Sequence, residues 1–130
     1  MAMENLIDDV REVHLPGSPP LEALLGIPGD AAGLIIFAHG SGSGRFSPRN
    51  NYVAQRLRDA GFATLLLDLL SPHEERDRSN VFDIALLASR LRRAADWSAQ
   101  FVATRNLRLS YFGSSTGAGA ALQAAAGDAR

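Results

Sequence analysis

Short apolar runs that alternate with helical segments are the feature that most restricts the fold of this chain. GLIIFAHG (33–40) and FATLLLDLL (62–70) are nearly continuous apolar runs, and LRLSYFG (107–113) is a third strand candidate. The first two are typical of strands buried on both faces, as parallel strands are. Because helical patterns separate the three runs, the sequence predicts an α/β fold with a mostly parallel sheet and crossover helices.

Two apolar segments near the start add strands to this sheet. The segments 11–16 and 21–28 flank the turn sequence GSPP and favour a β-hairpin, although the second could also form one helical turn. The first ten residues are predicted to be a weak helix or a loose end. The predicted order is therefore β-β-β-α-β-α-β-α in one domain, 1–130.

Three helices are predicted between and after the apolar runs. The first begins at Pro48, a residue suited to the first turn, with Ser47 as its cap, and it ends at Gly61. A long helix is expected from about 81 to 102, after a charged and exposed loop at 71–80. A helix of small residues at 116–126 can lie close against the sheet.

The composition excludes several kinds of chemistry. All 13 basic residues are arginine and there is no cysteine, so Schiff-base lysines, P-loop lysines, disulfides and thiolate catalysis are ruled out. The net charge of -1 and the scattered arginines predict neither a nucleic-acid nor a membrane partner. The acidic start, MAMENLIDDV, has no signal-peptide pattern, which favours a cytoplasmic location. No metal and no organic cofactor are expected.

The residues Gly113 to Gly117 form the pattern G-x-S-x-G between a predicted strand and a predicted helix. This is the setting that a nucleophile elbow requires, because a sharp turn lifts the serine hydroxyl clear of the backbone. We therefore expect Ser115 to be a catalytic nucleophile. The N–H group of Thr116, at the start of the helix, would stabilise the developing oxyanion.

A glycine-rich loop, HGSGSGR (39–45), follows the third strand at the same edge of the sheet. Backbone N–H groups of Gly40 or Ser41 are expected to supply the second oxyanion donor. Arg45 and Arg49 flank this loop and could bind a carboxylate or phosphate on the substrate. A solvated or ion-paired arginine is the favoured alternative for both.

Four segments carry a family resemblance that covers about residues 10–126: FAHGSGSGRFSPRN, ATLLLDLLSPHEE, FDIALLASRLRRAADW and YFGSSTGAGAAL. They resemble the dienelactone-hydrolase-like branch of the α/β-hydrolase family, in its N-terminal part only. The resemblance implies a three-layer α/β-hydrolase-type sheet with helices on both faces, incomplete after the nucleophile-elbow helix. It also implies that the acid and the histidine of the triad follow the elbow and lie outside this chain.

The resemblance departs from dienelactone hydrolases proper at the nucleophile. Those enzymes carry a cysteine there, whereas this chain has Ser115. Hydrolysis of a small-molecule ester or thioester through an acyl-serine is therefore the expected activity.

The three histidines bear on whether the chain holds its own general base. His14 is expected at the far side of the sheet. His39 is expected to be a hydrogen-bonded structural histidine beside the oxyanion loop. His73, at the catalytic edge, is the one histidine that could stand in as a base. Asp68 is predicted to bond to loop amides or cap its strand, and less readily to serve as the acid.

Two alternatives to an active hydrolase remain open. The chain could be a catalytically inert half that acts only by association, because the edge of its fifth strand would be bare. Self-association or a complementing chain through that strand is therefore expected. Nucleotide binding by GSSTGAG is the weaker alternative, since neither the lysine nor the spacing of a phosphate loop is present.

Overall fold

The computed structural model describes residues 10–39 and 44–127 of the chain. The expected N-terminal helix or loose end lies outside these residues. Within the described residues, five strands form one sheet in the order β1-β2-β4-β3-β5. Their bounds are β1 Val10–Leu15, β2 Leu21–Gly26, β3 Leu34–Ala38, β4 Ala63–Leu67 and β5 Leu109–Gly113.

The sheet is mixed in strand direction. β1 and β2 form the predicted antiparallel hairpin, and β2 continues antiparallel to β4. β3 runs parallel to both β4 and β5. All five residues of β4 are buried, as its continuous apolar run predicts, whereas β5 alternates between half-buried and exposed residues because it lies at the edge.

Five helices accompany the sheet within the described residues, and side-chain caps set the first turn of each one except the last. Ser47 accepts a hydrogen bond from the Asn50 backbone at 3.3 Å, which caps the first helix as predicted. The last helix matches its prediction at both ends. The bounds are α1 Pro48–Asp59, α2 Pro72–Glu75, α3 Arg78–Val81, α4 Ile84–Gln100 and α5 Thr116–Ala126.

The charged segment 71–80 is not the simple loop that its composition predicts. Ser71 and Glu74 form a capping box that starts α2, and Asp77 caps α3. A separate cap, Asp83, then starts α4, so the long helix begins three residues later than predicted. Side-chain capping of free backbone N–H groups outweighs the high charge of this segment.

Helices cover both faces of the sheet and produce three layers. On one face Phe37 and Leu66 pack with Ala54 of α1. On the other face the larger core forms under α4 and α5, with Ile36, Leu65 and other buried residues. Consecutive residues of β3 and β4 thus enter opposite layers, as the alternation of side chains along a strand requires.

One aromatic pair and one ion pair involve residues of α4. Trp97 is half-buried and stacks on Phe101, with ring centroids 4.6 Å apart. Arg90 is buried, binds both carboxylate oxygens of Glu74 at 2.9 and 2.6 Å, and donates to the Leu69 carbonyl at 3.0 Å. Hydrogen bonding from Arg90 lowers the pKa of Glu74 to about 2. The segment after β4 is therefore held against α4.

Candidate active site

Ser115 occupies a strained turn between β5 and α5. Its backbone has φ 57° and ψ -132°, a conformation that is rare for a residue with a side chain. The residue is exposed, and its side chain makes no capping hydrogen bond to α5 although it stands at the cap position. The turn thus presents a serine hydroxyl to solvent rather than using it to hold the helix.

The two glycines of the G-x-S-x-G pattern are required by close backbone contacts. A Cβ on Gly113 would lie 2.6 Å from the carbonyl oxygen of Gly117. A Cβ on Gly117 would lie 2.6 Å from the His39 carbonyl oxygen, and closer still to that of Ala38. The first turn of α5 therefore sits directly against the end of β3, where the predicted oxyanion loop begins.

The start of α5 directs backbone N–H groups towards the turn. The carbonyls of Ser114 and Ser115 accept hydrogen bonds from the backbone of Gly117 and Ala118, at 2.9 and 3.0 Å. The first N–H groups of a helix have no acceptor within the helix, so that of Thr116 is suited to an anion beside Ser115. The hydroxyl of Thr116 is buried and has no partner among the described residues.

His39 ends β3 and is held through both ring nitrogens. Nε2 donates to the Leu67 carbonyl, and Nδ1 accepts from the Asn50 side-chain amide at 3.0 Å. The residue is 5% exposed, and this burial lowers its pKa below the usual value of 6.5. A neutral imidazole bonded at both nitrogens fits the structural role expected of His39, and it is not positioned to act as a general base.

Arg45 and Asp68 anchor the far end of the loop that follows β3. The Arg45 backbone donates to one oxygen of Asp68 at 2.6 Å, and its guanidinium donates to the other. The same guanidinium lies 4.3 Å from the centre of the Phe46 ring. Asp68 thus bonds to a loop amide as expected, while substrate binding by Arg45 stays a prediction. The predicted donors Gly40 and Ser41 lie outside the described residues.

The other two histidines are not brought to Ser115 by contacts in the structure. His14 forms an ion pair with Glu22 on the hairpin, and β1 is at the opposite edge of the sheet from β5. His73 is exposed on α2. The triad base is therefore not assigned to any described histidine.

Two asparagines are missed by the sequence analysis although they support this site. Asn50 fixes the His39 ring, and the Asn51 side chain donates to the Arg45 carbonyl at 2.8 Å. The sequence contains one indication of this support, because Asn50 is a polar residue on the buried face of an amphipathic helix. Both asparagines follow Pro48 in the first turn of α1.

Neither a metal site nor a membrane-spanning helix is found in the part of the chain that the structure describes. Within 10–39 and 44–127, no group of three or more histidine, aspartate or glutamate side chains is arranged to hold a metal ion. In the same part of the chain, no helix combines the length and the apolar character needed to cross a membrane.

The chain is similar to several known proteins in sequence and in fold. No model of a known protein family matches the chain. The crystal structure of a dienelactone hydrolase from Anabaena variabilis is 52% identical in sequence, with a TM-score of 0.85; the match covers 91% of this chain and 58% of that one. Est1E from Butyrivibrio proteoclasticus is 19% identical with a TM-score of 0.71, over 88% of this chain and 45% of that one, and supports the fold alone.

Two curated proteins from strains of Mycobacterium tuberculosis, both named "Putative phosphoribosyl transferase", are 57% identical over 117 residues. The match covers 89% of this chain and 26% of each of those proteins. The chain thus spans about a quarter of its curated relatives and little more than half of the dienelactone hydrolase. The predicted resemblance to dienelactone-hydrolase-like α/β-hydrolases and the predicted fold are both confirmed.

Proposed function

We propose that this chain carries the nucleophile half of a serine hydrolase that cleaves ester or thioester bonds of small molecules. One observation carries the proposal: Ser115 is an exposed serine at positive φ, between two glycines that tolerate no Cβ, at the start of a helix. Nucleophile elbows have this form because the strained turn separates the hydroxyl from the backbone. The hydrolase fold of the Anabaena relative supports the same class of enzyme.

The proposed reaction proceeds through an acyl-serine. Ser115 Oγ attacks the carbonyl carbon of the substrate while its proton passes to a histidine, and the carbonyl oxygen becomes an oxyanion. The N–H groups of Thr116 and of Gly40 or Ser41 stabilise that charge. The carbon–oxygen or carbon–sulfur bond then breaks, the leaving group takes the proton, and water hydrolyses the acyl-serine.

The base and the acid of the triad are proposed to come from outside this chain. A serine hydroxyl is a weak nucleophile unless a base accepts its proton. His39 is neutral and bonded at both nitrogens, and His14 is engaged by Glu22. His73 is exposed on α2 and makes no contact with Ser115 in the structure, so a second segment is proposed to place the imidazole beside Ser115.

The transferase name of the mycobacterial relatives does not lead to a second proposal. The matching segment is 26% of those proteins, so their name need not describe it. The 117 matched residues of this chain include Ser115, and a serine elbow serves acyl transfer rather than recognition of a phosphoribosyl group.

The proposal is tested by covalent labelling with a fluorophosphonate and by hydrolysis of a short nitrophenyl ester, both in buffer with added imidazole, which replaces the base that is proposed to lie outside this chain. We expect the probe to add its mass to Ser115, and Ser115→Ala to abolish both labelling and ester turnover. Ser114→Ala is the matched control, because it removes a hydroxyl one residue away and should leave the label in place. Equal behaviour of the wild-type chain and Ser115→Ala would refute the proposal and favour the catalytically inert half.

A further inference from the structure

The loop that follows β3 has both of its ends bound to two consecutive residues after the centre of β4. His39 precedes the loop and donates to the Leu67 carbonyl, whereas Arg45 follows the loop and bonds to the Asp68 carboxylate. Residues 40–43, between these ends, lie outside the described part of the chain. The contacts on the two sides therefore tie both ends of the loop to the same strand end.

The first turn of α1 binds the same two ends. The Asn50 side chain donates to Nδ1 of His39 at 3.0 Å, and the side chain of the next residue, Asn51, donates to the Arg45 carbonyl at 2.8 Å. Each end of the loop is thus bound by one residue from β4 or its end and by one residue from α1. A short chain segment between two fixed ends has fewer conformations than a free one.

Asp68 makes the strongest of these contacts, because it binds both the main chain and the side chain of Arg45. One carboxylate oxygen accepts the Arg45 backbone N–H at 2.6 Å, and the other accepts from the guanidinium. The two side chains are only 18% and 27% exposed. A Cβ on Gly44 would lie 2.9 Å from the first oxygen, so the carboxylate also lies against the loop backbone. The backbone of Asp68 itself donates to the Glu22 carbonyl of β2 at 2.9 Å.

The start of this loop lies beside the elbow. Gly117, in the first turn of α5, packs against the carbonyls of Ala38 and His39. In nucleophile elbows the loop after the third strand supplies the second N–H group to the oxyanion. Such a donor must lie within hydrogen-bond distance of the place where the charge develops, and small displacements slow the reaction strongly.

We propose that Asp68 is a positioning residue for the oxyanion formed at Ser115. Through Arg45, the carboxylate holds the loop after β3 where its backbone N–H groups can reach that charge. The inference rests on the acyl-serine chemistry proposed above, because it assigns Asp68 a part in that reaction alone. Asp68 itself contacts no substrate and transfers no proton. The role given to Arg45 requires no charge on the substrate.

The test measures the rate at which an alkyl fluorophosphonate labels Ser115, over a range of probe concentrations and with added imidazole. In the transition state the phosphonyl oxygen takes the place of the oxyanion. We expect Asp68→Ala to lower the maximal labelling rate about tenfold or more and to leave the half-saturating probe concentration unchanged. Trypsin should also cleave faster after Arg45 in this variant, because the guanidinium is released from its ion pair.

The matched control is Glu74→Ala, which removes a second arginine–carboxylate pair that follows β4. Glu74 and Arg90 are 21% and 9% exposed, so the pair is at least as buried as that of Asp68. This variant should label at the wild-type rate and show no faster cleavage after Arg45. Circular dichroism checks that each variant folds. Arg45→Met is a milder second variant that keeps the backbone N–H and should slow labelling, although the probe carries no carboxylate.

The outcomes separate this inference from the proposed function. Labelling at the wild-type rate in Asp68→Ala and Arg45→Met would overturn the inference and leave the proposed function intact. An equal loss of rate in Glu74→Ala and Asp68→Ala would also overturn it, because general destabilisation would then explain both. Absence of Ser115-dependent labelling in the wild-type chain would refute the proposed function and this inference with it.

Discussion

Ser115 and His39 are polar residues at the ends of two neighbouring parallel strands, and the structure treats them in opposite ways. His39 is buried and bonded at both ring nitrogens, whereas Ser115 is exposed, strained and without a capping bond. Gly117 brings the two strand ends into contact. The difference indicates that His39 stabilises the fold, whereas the Ser115 hydroxyl is kept accessible to solvent at a cost in stability.

The largest effect is expected where the two strand ends meet, at Gly117. Gly117→Ala would drive a Cβ into the backbone carbonyls of Ala38 and His39, which cannot move without shifting β3. We expect the free energy of unfolding to fall by about 4 kcal/mol or more, measured by urea denaturation. Gly119→Ala is the control, because its Cβ would meet the flexible side chain of Ile84 at 3.3 Å and the change should be within about 1 kcal/mol.

The scaffold side of the comparison is tested at His39. His39→Leu removes the donor to Leu67 and the acceptor for Asn50, and leaves both partners buried without it. A loss of about 2–3 kcal/mol is expected by urea denaturation. His14→Leu should cost less than about 1 kcal/mol, since that histidine is exposed. Similar losses for the two variants would contradict the role assigned to His39.

The strained side of the comparison is tested at Ser115 by a substitution that should stabilise the chain. Glycine adopts positive φ without steric cost, so Ser115→Gly should raise the free energy of unfolding by about 1 kcal/mol. Ser114→Gly should lower it by about 0.5–1 kcal/mol, because Ser114 is not in the positive-φ region. Destabilisation by both variants would show that the turn stores no strain.

The smallest effect is a dependence of stability on pH that arises from His39. Its folded pKa lies below 6.5, so the unfolded chain binds more protons once the pH falls below that value. The contribution of His39 to the free energy of unfolding is therefore fully present above pH 6.5, and it decreases as the pH falls towards the folded pKa. Glu74, with a pKa lowered to about 2 from 4.5, contributes in the same direction only below pH 4.5. Urea midpoints measured above about pH 5 should show the His39 slope, and His39→Leu should remove it.

The sequence predicts the sheet and the elbow because both depend on local patterns. The continuous apolar residues of β3 and β4 require burial on both faces, and the structure confirms it. The pattern from Gly113 to Gly117 predicts a tight strand-to-helix turn, and the close contacts of both glycines agree with it. The prediction of a loop at 71–80 is wrong, because the capping residues of this segment start two short helices despite its high charge.

The support around the site could not be predicted from local patterns. His39 bonds to Leu67, 28 residues away, and to Asn50, 11 residues away. Arg45 bonds to Asp68 across 23 residues. These pairings arise only when β3 and β4 lie side by side, so no spacing in the sequence reveals them. The triad base and acid are not revealed by local patterns either.

The stacking of Trp97 on Phe101 gives the chain an optical reporter. Trp97 is the only tryptophan in the sequence, and its partner Phe101 lies beside the edge strand β1, where the Arg11 guanidinium is 5.6 Å from the centre of the Phe101 ring. Indole emission responds to changes in the polarity and packing of the ring's surroundings. Intrinsic fluorescence therefore follows events at this edge of the sheet without any added dye, while the elbow on the carboxyl side is read independently by the covalent probe.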